Sequence, residues 1–161
     1  MNYIEYFNNF FVNEHVNDYN LYHFTTLESL YEIINDGSIF PFYDKLLGAG
    51  ISTTRNKNLK WFPDINNIRL VFDKNEIKNN YKVTPYHWFN IKHGIEDYRK
   101  YGPNKKPYTN QDIPANQYEE RIITETPLPL KYIKQIDIIG YINNDDLSKL
   151  KNMIDIPINN L

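Results

Sequence analysis

Residues 22–25 (Tyr-His-Phe-Thr) constrain the fold of this chain most, because a short strand there runs directly into a helix. The helix is indicated by apolar residues at the i, i+3, i+4, i+7 spacing, namely Leu27, Leu30, Tyr31 and Ile34. Thr25 and Glu28 have the spacing of a capping box, and Gly37 can supply the left-handed residue after the helix. The pattern predicts a strand, a helix, a stop and a second strand, with one side of His23 free to meet a ligand.

Further strands are predicted where short apolar stretches lie between turn residues. They fall at residues 38–40, 51–54, 68–72, 81–84, 120–125 and 133–141, with helices at 3–11 and 145–153. Residues 46–50 resemble a flexible loop, and residues 73–75 are expected to end a strand. This order favours an α+β fold with a small, mainly antiparallel or mixed sheet. At 161 residues, the chain is expected to form a single domain over 1–161.

Composition excludes several kinds of site. The net charge of −2 provides no global basic field for nonspecific nucleic-acid binding, although local clusters at 55–60 and 99–106 either hold phosphates or form solvated loops. The absence of cysteine excludes disulfides, thiolate metal sites and a cysteine nucleophile. The four histidines have no convincing ligand spacing, so no metal is expected.

The expected location is the cytoplasm. The first residues lack the positive segment of a signal peptide, and no apolar run approaches the roughly 18 residues of a membrane span. We therefore expect neither secretion nor a membrane partner.

Two more polar clusters lie on predicted strands downstream of His23. Residues 52–55 read Ser-Thr-Thr-Arg, and residues 119–121 read Glu-Glu-Arg before an apolar pair. Three such clusters in this order suggest one site. Neighbouring strand residues face opposite sides, so only one of Glu119 and Glu120 can enter a pocket. The alternatives are a core histidine, threonines that favour strands, a surface Arg55 and exposed edge charges.

This succession of residues resembles the ADP-ribosyltransferase superfamily, which also includes the RNA 2′-phosphotransferases. The DarT-type toxins and related phage-encoded proteins are the most similar, and the resemblance extends from Tyr22 to about Ile138. It implies a small split, mainly antiparallel sheet with flanking helices. It also implies that NAD is a substrate, that no metal is needed, and that the acceptor is a protein or a nucleic acid.

The resemblance assigns roles to individual residues. His23, followed by Thr25, matches the first motif, in which the imidazole hydrogen-bonds the adenosine ribose of NAD. Arg55 matches an arginine that holds the NAD phosphates, for which a guanidinium fork is well shaped. The second motif supplies hydroxyls that support the nicotinamide pocket and the catalytic glutamate, and it corresponds to Ser52, Thr53 and Thr54.

The third motif carries the catalytic carboxylate. In the superfamily this glutamate leads an apolar strand, and aligning that strand with residues 120–123 selects Glu120. Many members also carry Gln or Glu two residues before the catalytic glutamate. Gln117 has this spacing from Glu119, which is therefore the alternate. A carboxylate there would orient the ribose 2′-hydroxyl and stabilise the oxocarbenium-like transition state. Tyr86 or Tyr81 are candidates to stack on nicotinamide, with core packing as the alternative.

The function expected from these features is NAD-dependent mono-ADP-ribosyl transfer to a macromolecule, as in a phage or toxin effector. One alternative is an RNA 2′-phosphotransferase, with Arg69 and Arg121 as its phosphate ligands. The other is a catalytically silent nucleotide-binding module that sequesters a signal or contacts a partner. Residues 87–117 have no clear period and are expected to form a lid or binding loop that carries acceptor specificity.

Overall fold

The computed structural model describes residues 19–44, 48–55, 57, 67–86 and 119–161. The predicted helix at 3–11 and the predicted loop at 87–117 lie outside these residues. So does most of the basic cluster at 55–60 and all of the one at 99–106.

Ten strands and three helices make up the described part of the chain. The strands are β1 (Asn20–Thr25), β2 (Ser38–Ile39), β3 (Phe42–Asp44), β4 (Gly48–Thr54), β5 (Ile68–Asp73), β6 (Lys82–Tyr86), β7 (Glu119–Ile123), β8 (Leu128–Pro129), β9 (Ile133–Ile138) and β10 (Ile158–Asn160). The helices are α1 (Leu27–Asp36), α2 (Lys74–Asn80) and α3 (Asn144–Met153), and a short 3-10 turn covers Leu130–Tyr132. With at most ten residues each, none of these helices combines the length and apolarity that a bilayer span requires.

The main sheet has the order β10-β9-β5-β1-β4-β7-β6, with β3 also paired to β4. Its pairs are antiparallel except that β10 runs parallel to β9. The strand β1 pairs with β5 along its whole length, whereas its pairing with β4 is a single position, Tyr22 with Thr54. The sheet therefore splits between β1 and β4. This confirms the predicted α+β fold with a split, mainly antiparallel sheet.

One face of the main sheet forms the core. Leu21 pairs with Phe72 and Leu70 pairs with Ile136 across adjacent strands, and all four side chains are fully buried on this face. The helices close the core with one fully buried residue each, Leu30, Ile77 and Leu150. Each such side chain contributes roughly 1.5–3 kcal/mol by leaving water.

The helix α1 begins one residue later than its capping-box spacing predicted. Thr26 is the cap, and its Oγ1 accepts a hydrogen bond from the Ser29 backbone N–H at 3.2 Å. Thr25 instead ends β1, paired with Ile68 and buried. Gly37 adopts the expected left-handed conformation after the helix, with φ 69°.

The helix α2 was not predicted, since residues 73–75 suggested only a turn. The Asp73 side chain accepts hydrogen bonds from the backbone N–H groups of Asn75 and Glu76 at 2.9 and 3.0 Å, which starts a helix directly after β5. Only Ile77 of this helix is buried, so the sequence shows no apolar period there.

The loop predicted at 46–50 is partly wrong, because residues 48–50 belong to β4. They pair with β3 on one side, and Gly50 pairs with Ile123 of β7 on the other. A Cβ at Gly50 would lie 2.6 Å from Arg121 Nε, so the close approach requires glycine. The Arg121 Nη2 donates hydrogen bonds to the carbonyls of Phe42 and Gly48 at 2.7 and 3.1 Å, which ties β3 and β4 to β7.

Candidate active site

One register row of the sheet brings the three predicted motifs together. Tyr22 pairs with Thr54, which places His23 beside Thr53, and Thr53 pairs with Glu120. Side chains at the same register position share a face of the sheet, so His23, Thr53 and Glu120 lie on the core face. With strands about 4.8 Å apart, the backbones of His23 and Glu120 are roughly 10 Å from each other.

His23 lies where β1 and β4 part. Its Nδ1 is 2.7 Å from the carbonyl oxygen of Ser52, which can only accept, so Nδ1 carries the hydrogen. Burial lowers the pKa of His23 from 6.5, and the bond to Ser52 opposes this shift in part. The ring is therefore neutral at pH 7, and its Nε2 is a hydrogen-bond acceptor that a ligand hydroxyl can use.

Glu120 is a buried carboxylate with two cationic neighbours among the described residues. It is 4% exposed, and its Oε1 lies 2.6 Å from Arg55 Nε. Its Oε2 lies 3.5 Å from Lys74 Nζ and makes no hydrogen bond to any residue in the described part of the chain. Thr53 Oγ1 donates to the backbone carbonyl of Glu120 and so anchors this position of β7 to β4.

Two cationic side chains of the described residues lie beside Glu120 and are largely removed from water. Those of Arg55 and Lys74 are only 19% and 14% exposed. A guanidinium group is suited to bind a phosphate as well as a carboxylate.

The other predicted site residues are divided between the two faces of the sheet. Thr25 lies two residues after His23 and shares its face. Ser52 and Thr54 alternate with Thr53 and lie on the opposite face, where Ser52 is exposed and Thr54 is buried. Ser52 thus contributes its carbonyl to His23, and its hydroxyl lies away from Glu120.

The backbones of Glu119 and Tyr86 pair with each other at the edge of the sheet. Their side chains lie outside the described structure, so the choice between Glu119 and Glu120 stays a prediction. Tyr81 contacts Tyr132 edge to face, with ring centroids 5.4 Å apart, which matches the core-packing alternative.

Two arginines suggested for a phosphate are engaged elsewhere. Arg69 lies on the opposite face from Glu120, where its Nε and Nη2 donate to Asp137 Oδ2 at 2.9 and 2.7 Å. Arg121 holds the carbonyls of β3 and β4. Sequence reasoning missed Lys74, since a lysine after an aspartate that ends a strand looks like an ordinary surface charge. In the described part of the chain, no group of three or more His, Asp or Glu side chains could hold a metal ion.

No family model and no curated protein matches this sequence. Solved structures similar to it include DarT from Thermus sp. 2.9 in three complexes. The complex with NAD+ has a TM-score of 0.54 at 8% identity, covering 90% of this chain and 96% of that one. The carba-NAD+ complex has a TM-score of 0.53 at 11% identity with the same coverage, and the complex with ADP-ribosylated ssDNA has 0.52 at 8%, covering 88% and 93%.

At such low identity the likeness establishes the fold alone. The likeness covers 90% of this chain and so includes most of the sheet described above. The chain therefore has an ADP-ribosyltransferase-like fold, as its resemblance to that superfamily predicted.

Proposed function

We propose that this protein is an NAD-dependent mono-ADP-ribosyltransferase that modifies a macromolecule. The observation that carries the proposal is the Glu120 carboxylate, which is buried on the same face and in the same row as His23. One of its oxygens makes no hydrogen bond to any residue that the structure describes. A buried, incompletely bonded carboxylate is costly to maintain, and such groups concentrate at functional sites. The likeness to DarT in complex with NAD+ supports NAD as the ligand.

In the proposed reaction, the bond between nicotinamide and ribose breaks and nicotinamide leaves with the bonding electrons. Glu120 orients the ribose 2′-hydroxyl and stabilises the positive charge that develops on the ribose. The acceptor then attacks C1′, and the carboxylate takes its proton. Preorganised electrostatic stabilisation of this kind is typically worth about 10²–10³-fold in rate.

His23 and Arg55 are proposed to hold the rest of the dinucleotide. The neutral His23 ring presents Nε2 as an acceptor for a ribose hydroxyl while its Nδ1 is fixed on the Ser52 carbonyl. Arg55 is proposed to bind the pyrophosphate, for which its planar donors are suited. Thr53 supports the site by holding the Glu120 backbone.

The acceptor is proposed to be a nucleic acid, because one DarT structure with this fold holds ADP-ribosylated ssDNA. A protein acceptor is the alternative. Action as a phage or toxin effector, and location in the cytoplasm, stay predictions from the sequence.

A second candidate is the silent nucleotide-binding module. The 2.6 Å contact between Arg55 and Glu120 favours it, because in a protein that only binds a nucleotide this carboxylate would serve to hold Arg55 in place. The RNA 2′-phosphotransferase alternative has less support because both of its candidate arginines have structural contacts.

The test is nicotinamide release from NAD by the purified protein, with and without single-stranded DNA or cell lysate. We expect the variant Glu120→Gln to lower release by about 10²–10³-fold. Glu125→Gln is the matched control, since this exposed glutamate lies just beyond β7. Glu119→Gln measures the alternate assignment.

Three results would change or overturn the proposal. Loss of release in Glu119→Gln alone would move the catalytic role to Glu119. Saturable NAD binding without release would favour the binding module. Neither binding nor release would overturn an NAD-dependent function.

A further inference from the structure

We propose that Lys74 is a positioning residue that holds the Glu120 carboxylate when Arg55 engages the phosphates of the ligand. This inference rests on the proposed function. It gives Arg55 and Lys74, which both contact Glu120, different roles. Arg55 binds the phosphates of the ligand, and Lys74 holds the carboxylate.

The backbone of Lys74 is fixed at the junction of two elements. It is the first residue of α2, and its N–H donates to the carbonyl of Tyr19 at 2.9 Å, next to the start of β1. Asp73 caps the same helix through two backbone N–H groups. The position of the Lys74 backbone is therefore determined by the sheet and does not depend on a bound ligand.

The side chain of Lys74 is directed at Glu120. Its Nζ lies 3.5 Å from Oε2, the oxygen that makes no hydrogen bond in the described part of the chain. The side chain is only 14% exposed, so its charge has lost much of its hydration and depends on the carboxylate. An ammonium group has three donors on a flexible stem and can follow a small movement of Oε2.

Arg55 differs because it follows the last residue of β4, which belongs to the strand that parts from β1. If its guanidinium turns to a pyrophosphate, Glu120 loses its contact at Oε1. Lys74 then still contacts Oε2 and keeps the carboxylate oriented. The carboxylate can accept the proton of the attacking group in this state, and no bond to Lys74 forms or breaks.

The test compares Lys74→Met, Lys74→Arg and the wild type for nicotinamide release. Lys78→Met is the matched control, because Lys78 lies on the same helix and is exposed. We expect Lys74→Met to lower kcat by about 10-fold or more while KM for NAD stays within about twofold, and Lys74→Arg to recover most of the rate. Lys78→Met should behave as the wild type.

Two kinetic results would overturn the inference. A Lys74→Met variant with a raised KM and an unchanged kcat would assign Lys74 to the ligand. A Lys74→Met variant equal to Lys78→Met would leave it no role at the site.

A thermal double-mutant cycle tests the contact without requiring activity. Lys74→Met is expected to lower Tm in the wild-type background and to lower it much less in the Glu120→Gln background, because the two side chains interact. Equal losses in both backgrounds would refute the contact and the inference with it. If the wild-type protein releases no nicotinamide, the proposed function is wrong. The double-mutant cycle would still show whether Lys74 contacts Glu120.

Discussion

Two buried carboxylates lie on opposite faces of one sheet and are bound in different ways. From the described residues, Asp137 accepts hydrogen bonds from Arg69 Nε and Nη2 at 2.9 and 2.7 Å, from Gln135 Nε2 at 2.5 Å and from Asn159 Nδ2 at 3.3 Å. Glu120 has ion pairs with two cations, yet its Oε2 has no hydrogen bond among the described residues. The two groups are almost equally buried, at 2% and 4% exposed.

The difference separates a charge that stabilises the fold from one that is available for chemistry. The bonds of Asp137 join β5, β9 and β10, and Arg69 also donates from Nη1 to the carbonyl of Lys57 at 2.5 Å. A satisfied network of this kind makes a region rigid. An incompletely bonded carboxylate can still exchange partners when a ligand arrives.

The largest expected effect on stability comes from replacing each carboxylate by its amide. Asp137→Asn should lower the free energy of unfolding by about 3–5 kcal/mol, because it leaves Arg69 as a buried charge without its partner. Glu120→Gln should cost less than half of that, since Arg55 and Lys74 are more exposed than Arg69. Urea unfolding of both variants measures the difference.

Activity should rank these two variants in the reverse order. Nicotinamide release should fall by about 10²–10³-fold in Glu120→Gln and stay near the wild-type rate in folded Asp137→Asn. Equal losses of stability would show that both carboxylates serve the fold, and the contrast between them would disappear.

A smaller effect is expected at the hydroxyl that supports Glu120. Thr53→Val leaves the buried backbone carbonyl of Glu120 without this donor and should cost about 1 kcal/mol in urea unfolding. Ser52→Ala is the control, because the neighbouring hydroxyl is exposed and should change stability by less than about 0.5 kcal/mol. If the two variants lose the same free energy of unfolding, Thr53 does not support Glu120 through this hydrogen bond.

The smallest effect on stability is expected from the titration of His23. Its side chain is half-buried, and the hydrogen bond to Ser52 partly offsets the lowering of its pKa. The unfolded chain takes up a proton near pH 6.5, whereas the folded protein does so only at lower pH. Between these values the unfolded state binds more protons, so stability falls as the pH is lowered below 6.5.

The variant His23→Gln should lack this component, because a glutamine amide can donate to the Ser52 carbonyl without titrating. The measurement is urea unfolding of both proteins between pH 5 and 8, taking the difference between the two curves. If the difference in unfolding free energy does not vary with pH, His23 does not contribute to the pH dependence, and burial does not lower its pKa.

Local patterns in the sequence predicted most strands, because apolar alternation and turn residues mark them. The order of three polar clusters suggested a single site, and the resemblance to the superfamily selected His23, Thr53 and Glu120 within it. The local patterns predicted neither α2, which buries only Ile77, nor β10, which is only three residues long and pairs with β9 at the edge of the sheet. Contacts between side chains far apart in sequence leave no local pattern. The pair of Arg69 with Asp137 spans 68 residues, and for that reason Arg69 resembled a phosphate ligand.

The choice between adjacent residues also depended on tertiary structure. Thr25 and Thr26 are equally good caps by composition, and the pairing of Thr25 with Ile68 decides that Thr26 starts the helix. Lys74 was missed for a similar reason, since only the fold brings it to Glu120.

The close approach of Gly50 to β7 limits how this protein can change during evolution. A side chain at position 50 would meet both the Arg121 guanidinium at 2.6 Å and the backbone carbonyl oxygen of Ile122 at 2.7 Å. Replacing Arg121 removes only the first of these obstacles, because the second belongs to the backbone of β7. Descendants of this chain should therefore keep Gly50 whether or not they keep Arg121.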